Sequence, residues 1–528
     1  MEEVAEDLRK ASTNRRFSLP ASVGREKSMK DRSLSPKDST VLRAVEHHHF
    51  ATRGGFCLFD VNALTVVRSN ALDKTLLDLA CLGIERSRLI ESAEGIPGAT
   101  RVEERVEFLV ENRFLLDAED EPTLAKLRPP TGYSTFMINV AQRCNLTCPY
   151  CYVNKGLFDY EKKPIPRMKT KTADEMVDRI YQLFPGLETY GYHFYGGEPL
   201  LNFDAIRRMV QAAEAKATAS GTHADFHITT NGTLLTSVIA DFMDEHRFTV
   251  YFSIDGNQET HDQLRQYTDG RGSYQDVERN LAYLKTKHGV HLIGSSVIRK
   301  GFSLEGAIGL LEGHGVQQCK AERVRLRDGD VLSLEGQEHD TYLKDIEGLV
   351  DHYIEYLSSG RKPMDFRLSS KILQLLTKTR RDFFCPAGER MFGISANGEI
   401  YPCALHVGRP QSKLGDVLVG IDTEKQTVFR AKFSPANQVE CRTCWTRHLC
   451  GGGCSAMVDR FGHENCLSLR AESEAGIAIF QHFVENDPIQ VLGLVSPKVV
   501  KWVNGELNDA SELTPTEAAA SRVASECV

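Results

Sequence analysis

Between residues 134 and 327, strand-like apolar runs alternate with helical stretches, and this alternation restricts the fold more than any other feature of the chain. TFMINVA, YGYHFYG, ADFHITTN, FTVYFSID, VHLIGSSVI and AERVRLR have the apolar, β-branched and aromatic content of strands. Between the first two, Met176, Val177, Ile180, Leu183 and Phe184 fall on one helical face, and between the next two Ile206, Met209, Val210 and Ala213 do the same. Six β/α units in series predict an α/β fold on a parallel sheet, because parallel neighbours need long crossovers. With right-handed crossovers the sheet rolls into a partial (β/α)6 TIM-like barrel. Each distinctive polar or Gly-rich motif falls just after a strand, which is the functional face of such a barrel.

The 528 residues exceed one ordinary core, so several domains are expected. Residues 1–45 are charged and Ser-rich, without an apolar period, and read as a disordered lead-in. Residues 46–127 read as a winged-helix-like module. In it GGFCLFDVNALTVVRSN forms two strands around Asn62, two helical stretches follow, and FLLDAED closes. The barrel occupies 128–330, a helical bridge 331–384, a Cys-dense domain 385–470 and a C-terminal extension 471–528. A net charge of -8 argues against a nucleic-acid partner held by general electrostatics. No long apolar run and no basic, then apolar, start is present, so neither membrane nor secretion is expected and the cytoplasm is the predicted location.

Fourteen cysteines in a reducing compartment point to metal or cluster ligation rather than disulfides. In RCNLTCPYCY, Cys144, Cys148 and Cys151 are spaced C-x3-C-x2-C directly after the first barrel strand. Three thiolates on one tight loop suit three irons of a four-iron cubane and leave the fourth iron open. A zinc site with a remote fourth ligand is the competing reading.

This spacing, with Tyr150 before the last Cys, resembles the signature of the radical S-adenosylmethionine (SAM) superfamily. The resemblance implies a [4Fe-4S] cluster on these cysteines and SAM bound near Tyr150. It extends to GGEP at Gly196, Gly197, Glu198 and Pro199, to ITTNG, and to SIDG from Ser253 to Gly256 with Arg265 beyond it. By that resemblance GGEP contacts the methionyl amino group and Arg265 the cosubstrate carboxylate. Chemically, Gly196 and Gly197 permit close backbone approach, Glu198 can accept from an ammonium, and Arg265 can grip a carboxylate bidentately.

A second constellation comprises Cys385, Cys403, Cys441, Cys444, Cys450, Cys454 and Cys466. It resembles the seven-cysteine SPASM domain of peptide-modifying radical enzymes. The resemblance implies two auxiliary [4Fe-4S] clusters, three in all, one on Cys385, Cys403 and Cys454 and the other on Cys441, Cys444, Cys450 and Cys466. A zinc-ribbon-like site on Cys441, Cys444, Cys450 and Cys454 is the alternative, and would strand the other three. TKTRRDFFCPAGERMFG offers no eighth Cys, so the first auxiliary cluster is expected to keep an iron open to a substrate thiolate unless distant Cys319 is recruited. Cys57 and Cys81 read as core residues, Cys527 as a bystander. His47, His48 and His49 read as solvated, and His406 as either lining the site or packing. Glu389, Glu399 and Asp416 are candidates for a base.

Taken together, the resemblances imply an enzyme that reductively cleaves SAM to a 5'-deoxyadenosyl radical, with the cofactors carrying the hard chemistry. The N-terminal module resembles the leader-binding element of peptide maturases, which adds a precursor as a strand to a sheet edge. The expected activity is cross-linking of a ribosomally made precursor peptide or small protein with a leader segment, first of all by a Cys thioether. Electrons would come from a flavodoxin or ferredoxin. The layout looks similar to maturases of Cys-rich peptides and of the quinohemoprotein amine dehydrogenase small subunit. Carbon–carbon cross-linking and formylglycine formation, as in anaerobic sulfatase maturation, are alternatives, as is a noncatalytic iron–sulfur scaffold.

Overall fold

The computed structural model describes residues 39–127, 132–151, 167–326, 329–486 and 494. Most of the 1–45 lead-in, the end of the C-terminal extension and Cys527 therefore lie outside the described residues.

The N-terminal unit starts earlier than the sequence suggests, on β1 (Val41–Ala44). β2 (His47–Thr52), β3 (Gly55–Asp60) and β4 (Val66–Ser69) form an antiparallel sheet in that order. Three helices follow, one more than expected: α1 (Ala71–Leu79), α2 (Arg86–Glu94) and α3 (Val102–Glu111). Asn70 and Asp73 begin α1 with a reciprocal capping box, which satisfies two otherwise orphaned amide donors. β1 pairs on either side with β5 (Ile84–Glu85) and β6 (Leu115–Asp117). Leu76, Leu77, Val102, Val106 and Leu109 bury the helices on this unit's own core.

The histidine run is not solvated. It lies in β2, where His48 stacks on Trp445 with ring centroids 3.7 Å apart and pairs with Glu474 at 2.8 Å. Cys57 is buried, but Cys81 is exposed, contrary to its reading as core, because it follows the end of α1 rather than continuing its buried face. The short β7 (Lys126–Leu127) leads out of the unit.

All six strands read from the sequence form. They are β8 (Tyr133–Ala141), β9 (Thr189–Gly196), β10 (His223–Thr230), β11 (Thr249–Ser253), β12 (His291–Ile298) and β13 (Gln318–Arg323), each parallel to the next. Between them run α4 (Thr170–Leu183), α5 (Phe203–Ser220), α6 (Ser237–Glu245), α7 (Gln258–Leu264), α8 (Tyr274–Leu284) and α9 (Leu304–Gly313). Met176, Val177, Ile180, Ile206, Met209, Val210 and Ala213 are buried, as their periodicity requires. α5 ends at Gly221, whose φ of 67° makes the left-handed cap that a side chain would strain.

α10 (Gln337–Ser358) and α11 (Ser369–Thr377) cross to the Cys-dense region, and β14 (Thr379–Arg380) pairs with β7. β15 (Met391–Ile394) then adds in parallel to β8. β16 (Glu399–Tyr401), β17 (Gly415–Asp416) and β18 (Gly420–Ile421) continue antiparallel, giving one mixed ten-stranded sheet. The Cys-dense region is thus joined to the same sheet as the parallel strands. Its remaining helices are α12 (Thr423–Phe433), α13 (Val439–Arg442), α14 (Arg447–Cys450), α15 (Ser455–Phe461) and α16 (Cys466–Asn486). Among the described residues no helix is long and apolar enough to cross a membrane.

Candidate active site

The ends of the parallel strands, the Cys144–Cys151 loop and the start of the Cys-dense region enclose a cavity of about 360 Å³. Cys144, Cys148 and Cys151 line one part of its wall, and Cys385, Cys403 and Cys454 line another. Tyr150, Gly196, Gly197, Ser253 and Arg265 also face it.

The loop after β8 is held from three directions. Asn231, just beyond β10, donates through Nδ2 to Cys144 Sγ at 3.5 Å and to Asn145 Oδ1 at 3.0 Å. The Leu146 amide donates to Cys144 Sγ at 3.4 Å. Gly197 N donates to Ala141 O at 2.9 Å, and Glu198 N to Arg143 O at 2.8 Å. A Cβ on Gly197 would run into the Arg143 carbonyl and reach within 2.7 Å of the Cys144 nitrogen, so the glycine admits the cysteine loop itself.

Glu198 departs from its expected role. It is fully buried, and its carboxylate accepts from Leu200 N at 3.1 Å, Thr230 Oγ1 at 2.7 Å and Asn231 N at 2.8 Å. Burial pushes its pKa up to about 7 against the pull of these donors. It ties the β9 and β10 loops together and does not face the cavity; the three donors satisfy a carboxylate that burial would otherwise penalise.

Arg265 is committed on one side. Its Nε donates to Asp255 at 2.9 Å, and its guanidinium lies 5.6 Å from the Tyr150 ring centroid. Asp255, fully buried, also accepts from Tyr150 Oη, from Ser296 Oγ at 3.2 Å and from Val297 N at 2.9 Å. Burial opposes ionisation of Asp255, but Arg265 and the other donors outweigh it and lower its pKa. Elsewhere on the wall, burial, His227 and Lys320 hold His193 well below its ordinary value, and its Nε2 contacts Thr229 Oγ1 at 2.9 Å.

The seven later cysteines sort into two groups. Cys385 and Cys403 stand close enough to Cys454 for its charge to raise their pKa values, after burial, which dominates. Cys441, on α13, is pushed up to about 12 by burial and then by Cys450, Cys466 and Cys444. These four lie away from the cavity, Cys441 on α13, Cys444 in the link that follows it, Cys450 on α14 and Cys466 at the start of α16.

Other candidates fall outside. His406 packs, its ring nitrogens contacting Ser412 Oγ at 3.0 Å and Ser455 Oγ at 3.1 Å. Glu389 pairs with Arg430 at 2.8 Å, Glu399 with Lys413 at 2.7 Å, and Asp416 accepts from Leu418 N, so none of the three lines the cavity. Cys319 is buried on β13 against a separate chamber. Asn231 and Asp255 were missed as site residues although ITTNG and SIDG contain them, because sequence alone does not show what a side chain reaches. Lys320, Glu322 and Arg325 carried no signal beyond lying at a strand end.

The profile described as the Radical SAM superfamily matches residues 138–307. An uncharacterized protein of Archaeoglobus fulgidus is 30% identical over 368 residues, which span 66% of this chain and 80% of that one. This chain belongs to the radical SAM superfamily. A serine-type anaerobic sulfatase-maturating enzyme of Klebsiella aerogenes is 24% identical over 367 residues, 67% of this chain and 87% of that one. The solved structure of native anSMEcpe with bound AdoMet superposes with a TM-score of 0.56 at 21% identity, covering 67% of this chain and 99% of that one, which supports the fold.

This radical SAM enzyme is therefore expected to carry a [4Fe-4S] cluster and SAM, and the cavity fits them. It brings six cysteine sulfurs to its wall, the ligand preference of iron–sulfur clusters and zinc. Burial pushes Cys144 up to about 12 and Cys148 up to about 11, so ionising them there calls for a metal's positive charge.

Proposed function

We propose that this enzyme is a peptide or protein maturase that joins a substrate cysteine sulfur to a carbon, using three [4Fe-4S] clusters. Cys144, Cys148 and Cys151 would hold the cluster that meets SAM. Cys385, Cys403 and Cys454 would hold one auxiliary cluster, and Cys441, Cys444, Cys450 and Cys466 the other. The strands β8–β13 would then form the partial barrel, and residues 41–127 a winged-helix-like module that receives a leader segment. The observation that carries this reading is that one cavity is lined by both Cys144–Cys148–Cys151 and Cys385–Cys403–Cys454.

When bound, the first cluster and SAM supply a 5'-deoxyadenosyl radical that removes a hydrogen atom. The chain's own part is placement. Arg265, its Nε taken by Asp255, has its terminal nitrogens left to grip a carboxylate, with Gly196, Gly197, Ser253 and Tyr150 around the same ligand. The desolvated wall excludes water from the radical. Three cysteines without an eighth leave room for a substrate thiolate at the auxiliary cluster. Cys444 and Cys466, less buried than Cys441 and Cys450, suit electron exchange with a flavodoxin or ferredoxin.

The experiment is anaerobic reconstitution of the full chain. The expected result is about 12 irons per chain, formation of 5'-deoxyadenosine from SAM on reduction, and loss of two hydrogens from a Cys-containing precursor peptide. About 4 irons per chain would refute the three-cluster reading. The similarity to sulfatase-maturating enzymes favours a second reading, oxidation of Ser or Cys to formylglycine. A product that reacts with a hydrazide probe would select it over the thioether.

A further inference from the structure

From the second half of β13 onward the chain runs along a wall shared by the reaction cavity and a smaller chamber of about 130 Å³. Glu322 and Arg325 face both spaces. Glu322 is the one carboxylate that lines the reaction cavity among the described residues. Arg325 bridges two partners: Nη2 donates to Glu322 at 3.0 Å, and Nη1 lies 3.9 Å from Cys454 Sγ. Lys320 approaches Glu322 at 3.6 Å from the other side.

A guanidinium directed at a ligand sulfur withdraws electron density from it and places positive charge beside the metal, and both effects favour the reduced state. A carboxylate bonded to that guanidinium opposes the charge part. The sulfur contacts of Cys144 differ, coming from the neutral Asn231 side chain and the Leu146 amide, and in the other cysteine group Arg470 reaches Cys444.

We infer that the Glu322–Arg325 pair sets the reduction potential of the cluster held by Cys385, Cys403 and Cys454, independently of the cluster at Cys144, Cys148 and Cys151. This rests on the reading above that these three cysteines ligate a cluster. Arg325 raises that potential and Glu322 moderates the rise, so the two residues together fix how readily electrons enter the auxiliary site. Because Glu322 also faces the cavity, a cationic group on a bound substrate would compete with Arg325 for it and shift the same potential upward.

The test is a redox titration of the reconstituted full chain, followed by electron paramagnetic resonance, on wild type, Arg325→Met, Arg325→Lys and Glu322→Gln. Iron content is measured alongside, and Cys454→Ala identifies the signal that belongs to this cluster. The expected result is a lower potential for that one signal in Arg325→Met, a higher one in Glu322→Gln and a value between Arg325→Met and wild type in Arg325→Lys, with the other signals unmoved. Unmoved potentials at full iron content overturn the inference, as do shifts of the same sign in Arg325→Met and Glu322→Gln. Loss of iron in Arg325→Met with an unshifted Glu322→Gln also overturns it, by making Arg325 a structural residue. An unchanged iron content in Cys454→Ala instead overturns the three-cluster reading, so the two failures are told apart.

Discussion

Replacing Arg265 by Met should cost stability through Asp255, and the cost should depend on pH. Asp255 is fully buried, and Arg265 donates to it as a cation at 2.9 Å. Removing one partner of a buried pair typically costs about 3–5 kcal/mol, because the other charge is left uncompensated. Tyr150, Ser296 and Val297 still donate to Asp255 in the variant, so about 3 kcal/mol at pH 8 is expected, the low end of that range.

The sign with pH follows from the carboxyl. In the wild type its pKa is lowered from 3.8, so its stabilising contribution is present above 3.8 and fades as pH falls through the lower folded value. Without Arg265 burial prevails and the folded pKa rises above 3.8, so the variant loses stability as pH increases past that value. The deficit should therefore be small near pH 4 and largest at pH 8. Urea unfolding followed by far-ultraviolet circular dichroism at both pH values measures it, and the double variant Asp255→Asn/Arg265→Met should recover most of the loss. A deficit under about 1 kcal/mol at pH 8, or one that does not change with pH, would refute the reasoning.

Gly197→Ala should push the cysteine loop away from β9 and cut iron by about 4 per chain, with the Cys385–Cys466 region still loaded; full iron content would show that the loop moves freely. Burial lowers the pKa of His406 to about 3, so the unfolded chain takes up a proton below pH 6.5 while the folded chain does not, and stability falls by about 1.4 kcal/mol per pH unit as pH drops towards that value. His406→Gln should flatten this slope in acid titrations, and an unchanged slope would assign it elsewhere. His48→Ala removes the stack on Trp445 and the contact with Glu474, and should speed proteolytic release of residues 39–127 by a few fold, for about 1 kcal/mol of docking. Equal cleavage rates would remove that stack from the docking.

The six parallel strands were legible because each is a short apolar run framed by a helix with a clear 3.6-residue face, as with Met176, Val177 and Ile180. Cysteine spacing pointed to Cys144, Cys148 and Cys151 for the same local reason: one loop sets their separation. β1 and β2 were missed because VLRA is very short and HHHFAT lacks apolar alternation, and only pairing across the sheet fixes them. Glu198 was assigned to a ligand because a motif names a residue type and not its direction. Its burial depends on Thr230 and Asn231, which arrive from another strand. Arg325 meets Cys454 across 129 positions, a juxtaposition no local pattern encodes.

The joint between the two ends of the described chain has a consequence for synthesis. His48 meets Trp445 and Glu474, Arg68 reaches Glu485 at 2.5 Å, and Glu46 pairs with Arg447. A ribosome delivers β2 nearly four hundred residues before α14 and α16 emerge, so that face of the first module must wait, uncovered, until those helices have been made. Whatever occupies it in the interval, a chaperone or another nascent chain, competes with α16.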